Sequence, residues 1–175
     1  GAALASLTTN AGGTTAIVVG TLLTALPSWA GTPETSGGAL AALVLAWLGG
    51  RIAFWGAPWL PAGVVAIADG LLWPLLLALL AAPVWRAPKR LYRLLLPIVA
   101  ALALANIAYH AAVLAGDAAR AERALRTAVW ALVVLYTLKG GLLTPIFTGN
   151  ALRAHGRGEQ ARFAMPLEAL ALALL

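Results

Sequence analysis

The chain has 175 residues, of which 62% are hydrophobic and only 10% charged, with a mean hydropathy of +0.89 and a net charge of +6. Soluble domains carry about 25% charged residues, so this composition leaves too little polar surface to cover a water-soluble fold of this size. There is no cysteine, which excludes disulfides, thiolate metal sites and cysteine nucleophiles. The basic residues sit in short clusters between apolar runs, as loops beside a membrane do, so the charge does not argue for nucleic acid.

Six apolar segments follow in chain order, and the predicted fold is an all-α polytopic transmembrane helix bundle. The whole of 1–175 reads as one membrane-embedded domain, a portion of a longer membrane protein that supplies further transmembrane helices. The first segment, 4–26, is rich in Thr, Gly and Ala and ends at Pro27, a composition suited to close helix packing. The second, 38–55, carries Arg51 in its last turn, where its stem can snorkel to the interface. The break from Gly56 to Pro61 is short and predicts a tight antiparallel pair with the third segment, 61–84. That third segment holds a single charge, Asp69, and Pro74 is expected to kink it.

The fourth segment, 94–115, is the most direct evidence for a membrane span. No residue between Leu94 and Gly116 is charged. Those positions reach about 34 Å as a helix, enough to cross a bilayer core of roughly 30 Å. The connection 116–126 mixes acidic and basic residues. The fifth segment, 127–148, contains Lys139, Gly140, Gly141 and Pro145, which are expected to interrupt it. The loop 149–162 is polar, and the sixth segment, 163–175, begins near Phe163.

Charge sets an expected orientation. Arg86, Lys89, Arg90, Arg93, Arg153, Arg157 and Arg162 fall on one side, against Arg51, Arg120, Arg123 and Arg126 on the other. The richer side is expected in the cytoplasm. Trp29, Trp55, Trp59, Trp85 and Trp130 lie near segment ends, where an aromatic belt belongs.

Asn106 and His110 are four residues apart and share a helix face. A polar pair in a membrane helix is costly in lipid and should face protein or a cofactor. His110 reads either as a metal ligand through its imidazole or as a packing histidine bonded to Asn106 or to a neighbouring helix. Asp69 reads either as a carboxylate that orients a ligand histidine or as half of a buried pair with Arg51 or Lys139. His155, among Arg153 and Arg157, reads as a solvated loop residue. No Walker loop, dinucleotide fingerprint, nucleophile elbow or zinc-protease motif is present.

Several stretches taken together resemble one family. These are Thr21 to Pro33 (TLLTALPSWAGTP), Trp47 to Ala53 (WLGGRIA), Asp69 with Trp73-Pro74-Leu75, Leu104 to His110 (LANIAYH), and Gly140-Gly141 followed by Pro145 to Asn150 (PIFTGN). In this order they are similar to the NnrS family. The resemblance implies a bacterial inner-membrane, multi-pass protein associated with haem and copper and linked to nitric oxide handling and nitrosative stress. It implies His110 as metal ligand, with Asn106, Asp69, Lys139 and Asn150 around the cofactor. The chain departs from the family pattern where a His-rich stretch would precede the first match: Ala5 to Asn10 holds no histidine. Two other readings stand beside this one. The first is a transporter or carrier module with a polar path at Asp69, Asn106 and Lys139. The second is a helical membrane scaffold that has lost its cofactor ligands.

Overall fold

A computed structural model describes residues 37–86 and 93–156. These residues form five helices and, among them, no strand: α1 (Gly38–Trp55), α2 (Ala62–Gly70), α3 (Leu72–Arg86), α4 (Leu95–Leu114) and α5 (Ala118–Ala154). The expected spans 4–26 and 163–175 lie outside the described residues. Among the described residues, three spans are long and apolar enough to cross a membrane: α1, the α2–α3 run Ala62–Arg86, and α4.

The turn between α1 and α2 is as short as the sequence predicts. The Gly56 N–H closes α1 on Ile52 O at 2.9 Å, and the Trp59 and Leu60 N–H groups both return to Gly56 O. The chain reverses, and α2 packs back along α1. The connection from α4 to α5 is equally compact. Gly116 takes the left-handed φ of +69° that a side chain would resist. This lets the Asp117 N–H reach Ala112 O at 2.9 Å and the Gly116 N–H reach Val113 O at 3.1 Å, closing the last turn of α4. Asp117 then caps the next helix, its Oδ1 accepting from the Arg120 N–H at 2.9 Å. The two helices lie against each other in the most extensive helix pairing of the structure.

The core is a leucine seam. On α3, Leu72, Leu76, Leu80 and Val84 recur every four residues and are all buried. They meet Leu95, Val99 and Leu102 of α4, Leu43 of α1, and Leu135 and Leu138 of α5. The outside is also apolar. Leu45, Ile52, Ile67, Leu104, Ile107 and Phe147 are each more than half exposed. Large aliphatic groups facing outward on helices of spanning length are what a lipid solvent requires. Trp55, Trp59, Trp85 and Trp130 are likewise more than half exposed.

Three local expectations are corrected. The interruption of the third segment expected at Pro74 falls at Leu71, three residues earlier, where the segment divides into α2 and α3. Proline has no N–H, so the Gly70 carbonyl loses its helical donor and the strain is released upstream. The Leu75 N–H to Leu71 O bond on the same turn is stretched to 3.4 Å. The connection expected at 116–126 is mostly helix, since α5 starts at Ala118. Its sequence, AARAERALR, consists of strong helix formers, and high charge there marks a helix beyond the apolar span rather than a loop. Lys139-Gly140-Gly141 and Pro145 do not interrupt the fifth segment either. α5 is continuous for 37 residues, about 55 Å, and takes in 149–154 of the expected loop. Next to the proline, the Thr144 hydroxyl donates to Gly140 O at 2.8 Å and occupies a carbonyl that the glycine pair leaves accessible.

Candidate functional site: a buried polar quartet

The inward stripe of α4 runs through the buried Leu95, Val99 and Leu102, then the half-buried Asn106 and the buried His110, at steps of four, three, four and four. Helical periodicity therefore carries the last two positions into the interior along with the leucines. There they meet Asp69, in the last turn of α2. Asn106 Nδ2 donates to Asp69 Oδ2 at 2.8 Å. His110 Nε2 lies 3.1 Å from the same oxygen. The other carboxylate oxygen, Oδ1, pairs with the Arg51 guanidinium of α1. His110 is 8% exposed as a residue. The side chains of Arg51 and Asp69 are 16% and 12% exposed.

The position of Asp69 explains why it needs three partners. A carboxylate in the last turn of a helix adds its charge to the negative end of the helix dipole. An unpaired carboxylate at membrane depth costs roughly 3 kcal/mol or more. Arg51 neutralises the charge, and Asn106 and His110 saturate the second oxygen. Of the two cations open from the sequence, Arg51 is the one that meets Asp69. It does not snorkel outward. Its head turns inward, with the guanidinium carbon 5.7 Å from the centre of the Phe54 ring. Close approach of α1 to α2 makes the pair reachable. A Cβ on Gly50 would stand 3.1 Å from Asp69 Cα and 3.2 Å from Ala68 O. A side chain there would be tight against the backbone of α2, and glycine lets the two helices approach without that crowding.

Lys139 and Asn150 are not brought to this cluster. Lys139 lies on α5 and makes no ion pair among the described residues. Asn150 is exposed near the end of α5, where Arg153 Nη2 donates to its Oδ1 at 3.1 Å. His155 ends that helix, exposed, with Nδ1 2.8 Å from Ala151 O. Sequence reasoning did not single out Gly50 or the ring of Tyr109, which meets His110 edge-on at 5.3 Å. Pairing of glycine with arginine in Gly49-Gly50-Arg51 was the available signal for Gly50. For Tyr109 there was none beyond its being next to His110.

A cavity of about 100 Å³ adjoins the quartet. All five helices contribute to its wall. Arg51, Asp69 and Asn106 form the polar side, Trp47, Phe54, Trp73 and Tyr109 give aromatic faces, and Ala124 and Ala128 of α5 leave the space open. Asn106 Oδ1 is buried and has no hydrogen-bond donor among the described residues. An orphaned amide oxygen costs about 1–3 kcal/mol.

To the haem or copper that the resemblance implies, the quartet by itself offers one ring nitrogen, His110 Nδ1. A ligating histidine offers one ring nitrogen to the metal and uses the other to bond its orienting partner. His110 turns Nε2 to Asp69, so only Nδ1 remains. No group of three His, Cys, Asp or Glu that could hold a metal occurs among the described residues, which include both histidines of the chain. The cavity is also small against the roughly 300–1,000 Å³ of sites that take cofactor-sized ligands.

Comparison with known proteins agrees with the resemblance. Residues 10–175 match the model of the NnrS protein family. No curated protein and no solved structure matches the chain. The chain belongs to the NnrS family.

Proposed function

We propose that this NnrS-family chain works in a bacterial inner membrane, which it crosses several times, and that it acts in nitric oxide handling or the response to nitrosative stress. The observation that carries the reading is the family match over 10–175. The distribution of side chains supports the membrane part: many leucines and isoleucines face outward, while Arg51, Asp69, Asn106 and His110 face one another. Such groups in a membrane interior are retained for function or for specific packing, rarely by chance. In this reading the residues 86–93 lie in the cytoplasm and 116–123 on the opposite side, following the distribution of basic residues.

No metal-dependent step is assigned to the quartet, because no group of three candidate metal ligands stands together among the described residues. Its role in this reading is to hold α2 against α1 and α4 within the membrane. A polar path through Asp69, Asn106 and Lys139, as a carrier would need, receives no support, since Lys139 does not line the cavity that Asp69 and Asn106 share. The test is growth in the presence of a nitric-oxide-releasing compound. Deletion of the gene encoding this chain should slow growth selectively under that stress, and the intact gene should restore it. Equal growth of the deleted and parent strains would remove the proposed role.

A further inference from the structure

Basic side chains gather at the end of the bundle that lies away from the quartet. Arg86 is in the last turn of α3, and Arg93 stands just before α4; both are exposed. Lys139 of α5 is as far in sequence from the turn at Gly116 as Arg93 is. Because α4 and α5 are joined by that short turn and pack along each other, helical rise brings Lys139 to the level of Arg93. Three helices therefore bring a cation to this end. The described acids are elsewhere. Asp117 and Glu122 lie beside the opposite turn, and Asp69 is about 25 Å from Arg86 along the α2–α3 run.

The Arg93 guanidinium is held in a defined place. Its carbon is 5.1 Å from the centre of the Trp85 ring, and Nη2 is 3.4 Å from Trp85 O. Positive charge over an aromatic face and at the carbonyl end of a helix is favourable on both counts. The contact with Trp85 O engages one nitrogen of a group that carries five N–H donors. Among the described residues no carboxylate pairs with Arg86 or Arg93, and no other acceptor is bonded to Arg93. A guanidinium fixed in this way keeps N–H groups for an acceptor from outside, and phosphate oxygens match its fork. Trp85 is 65% exposed at the end of a spanning run, where indole rings sit among lipid headgroups. The phosphate at hand at that level belongs to a lipid. Cations without a neighbouring acid favour a headgroup of net negative charge over a neutral one.

We propose that Arg93, set against Trp85, and Arg86 bind the headgroup phosphate of an anionic phospholipid, with Lys139 adding to the attraction. The proposal rests on the membrane reading and is independent of the nitric oxide role.

Phosphatidylglycerol and phosphatidylcholine with the same acyl chains are the probes. The protein is first reconstituted into phosphatidylcholine vesicles and floated on a density gradient. In detergent micelles it is then titrated with each lipid and read by native mass spectrometry, which resolves a single bound lipid. Phosphatidylglycerol should bind about fivefold tighter or more, and Arg93→Gln should weaken it about fivefold, the loss of one basic group beside a headgroup. Arg86→Gln should act in the same direction. Arg93→Lys keeps the charge but not the planar fork, and should not restore parent binding. The double variant Arg120→Gln with Arg123→Gln, at the opposite turn, should bind as the parent does. Arg86, Arg93, Arg120 and Arg123 are all exposed, so helical circular dichroism should be unchanged throughout. Equal binding of the two lipids by a parent protein that floats with the vesicles would overturn the lipid site alone. Parent-like binding by Arg93→Lys, or an equal loss in the Arg120 and Arg123 variant, would overturn it as well. A protein that does not float would remove the membrane reading and the lipid site together.

Discussion

The two halves of α4 solve the same packing problem differently. From Leu95 to Leu102 the helix meets α3 through an apolar seam. From Asn106 to His110 it meets α2 through hydrogen bonds to one carboxylate. In water the seam would dominate, because burying leucine is the main driving force. In a membrane, lipid tails are as apolar as leucine, so the seam gains only better packing. Polar contacts have no equivalent in lipid. The quartet therefore specifies which helices meet and in what register, and the seam fills the space once they have met.

The largest effect should come from breaking the quartet's charge balance. Asp69→Ala leaves Arg51 without its anion and removes the acceptor of both Asn106 and His110. Loss of one partner of a buried pair costs roughly 3–5 kcal/mol. Steric trapping or reversible unfolding in mixed micelles should register a loss of that size, and a loss below about 1 kcal/mol would show that the charges are solvated.

The next largest effect concerns the close approach that makes the pair reachable. Gly50→Val places a side chain where Asp69 Cα stands 3.1 Å from a bare Cβ. The two nearest neighbours are backbone atoms, which yield only if α1 and α2 separate. Overpacking of this kind costs about 1–3 kcal/mol. Cysteines introduced on facing positions of α1 and α2 would cross-link more slowly in the valine variant, an experiment simplified by the absence of native cysteine.

Residues outside both regions supply the small end of the scale. Asn150→Ala removes one exposed hydrogen bond to Arg153 and should change stability by less than about 0.5 kcal/mol. A substantial loss there would mean that the far end of α5 belongs to the site after all.

The comparison also shows what could be read from sequence. Asn106, His110 and Asp69 were legible because an ionisable or amide group in an apolar run is conspicuous, and the spacing of four fixes a shared face. The partner of Asp69 was left between Arg51 and Lys139. The choice depends on how closely α1 approaches α2, which Gly50 permits but does not announce. The break at Leu71 was placed at Pro74 because proline acts on the carbonyl four residues before it, and the effect is seen upstream of its cause. The extent of α5 was missed because hydropathy registers what suits lipid, whereas Ala118 to Arg126 is helical through propensity and an aspartate cap. The cavity was not legible, since it depends on side chains from five helices at once.

The central claim is that Asp69 and Arg51 act as one unit that fixes α1 against α2. A double-mutant cycle of Asp69→Ala and Arg51→Ala, measured as unfolding free energy in a lipid environment, tests it most directly. The account predicts that the double variant is less destabilised than the sum of the single variants, with a coupling of about 2 kcal/mol or more. Additive losses, with no coupling between the two positions, would contradict it.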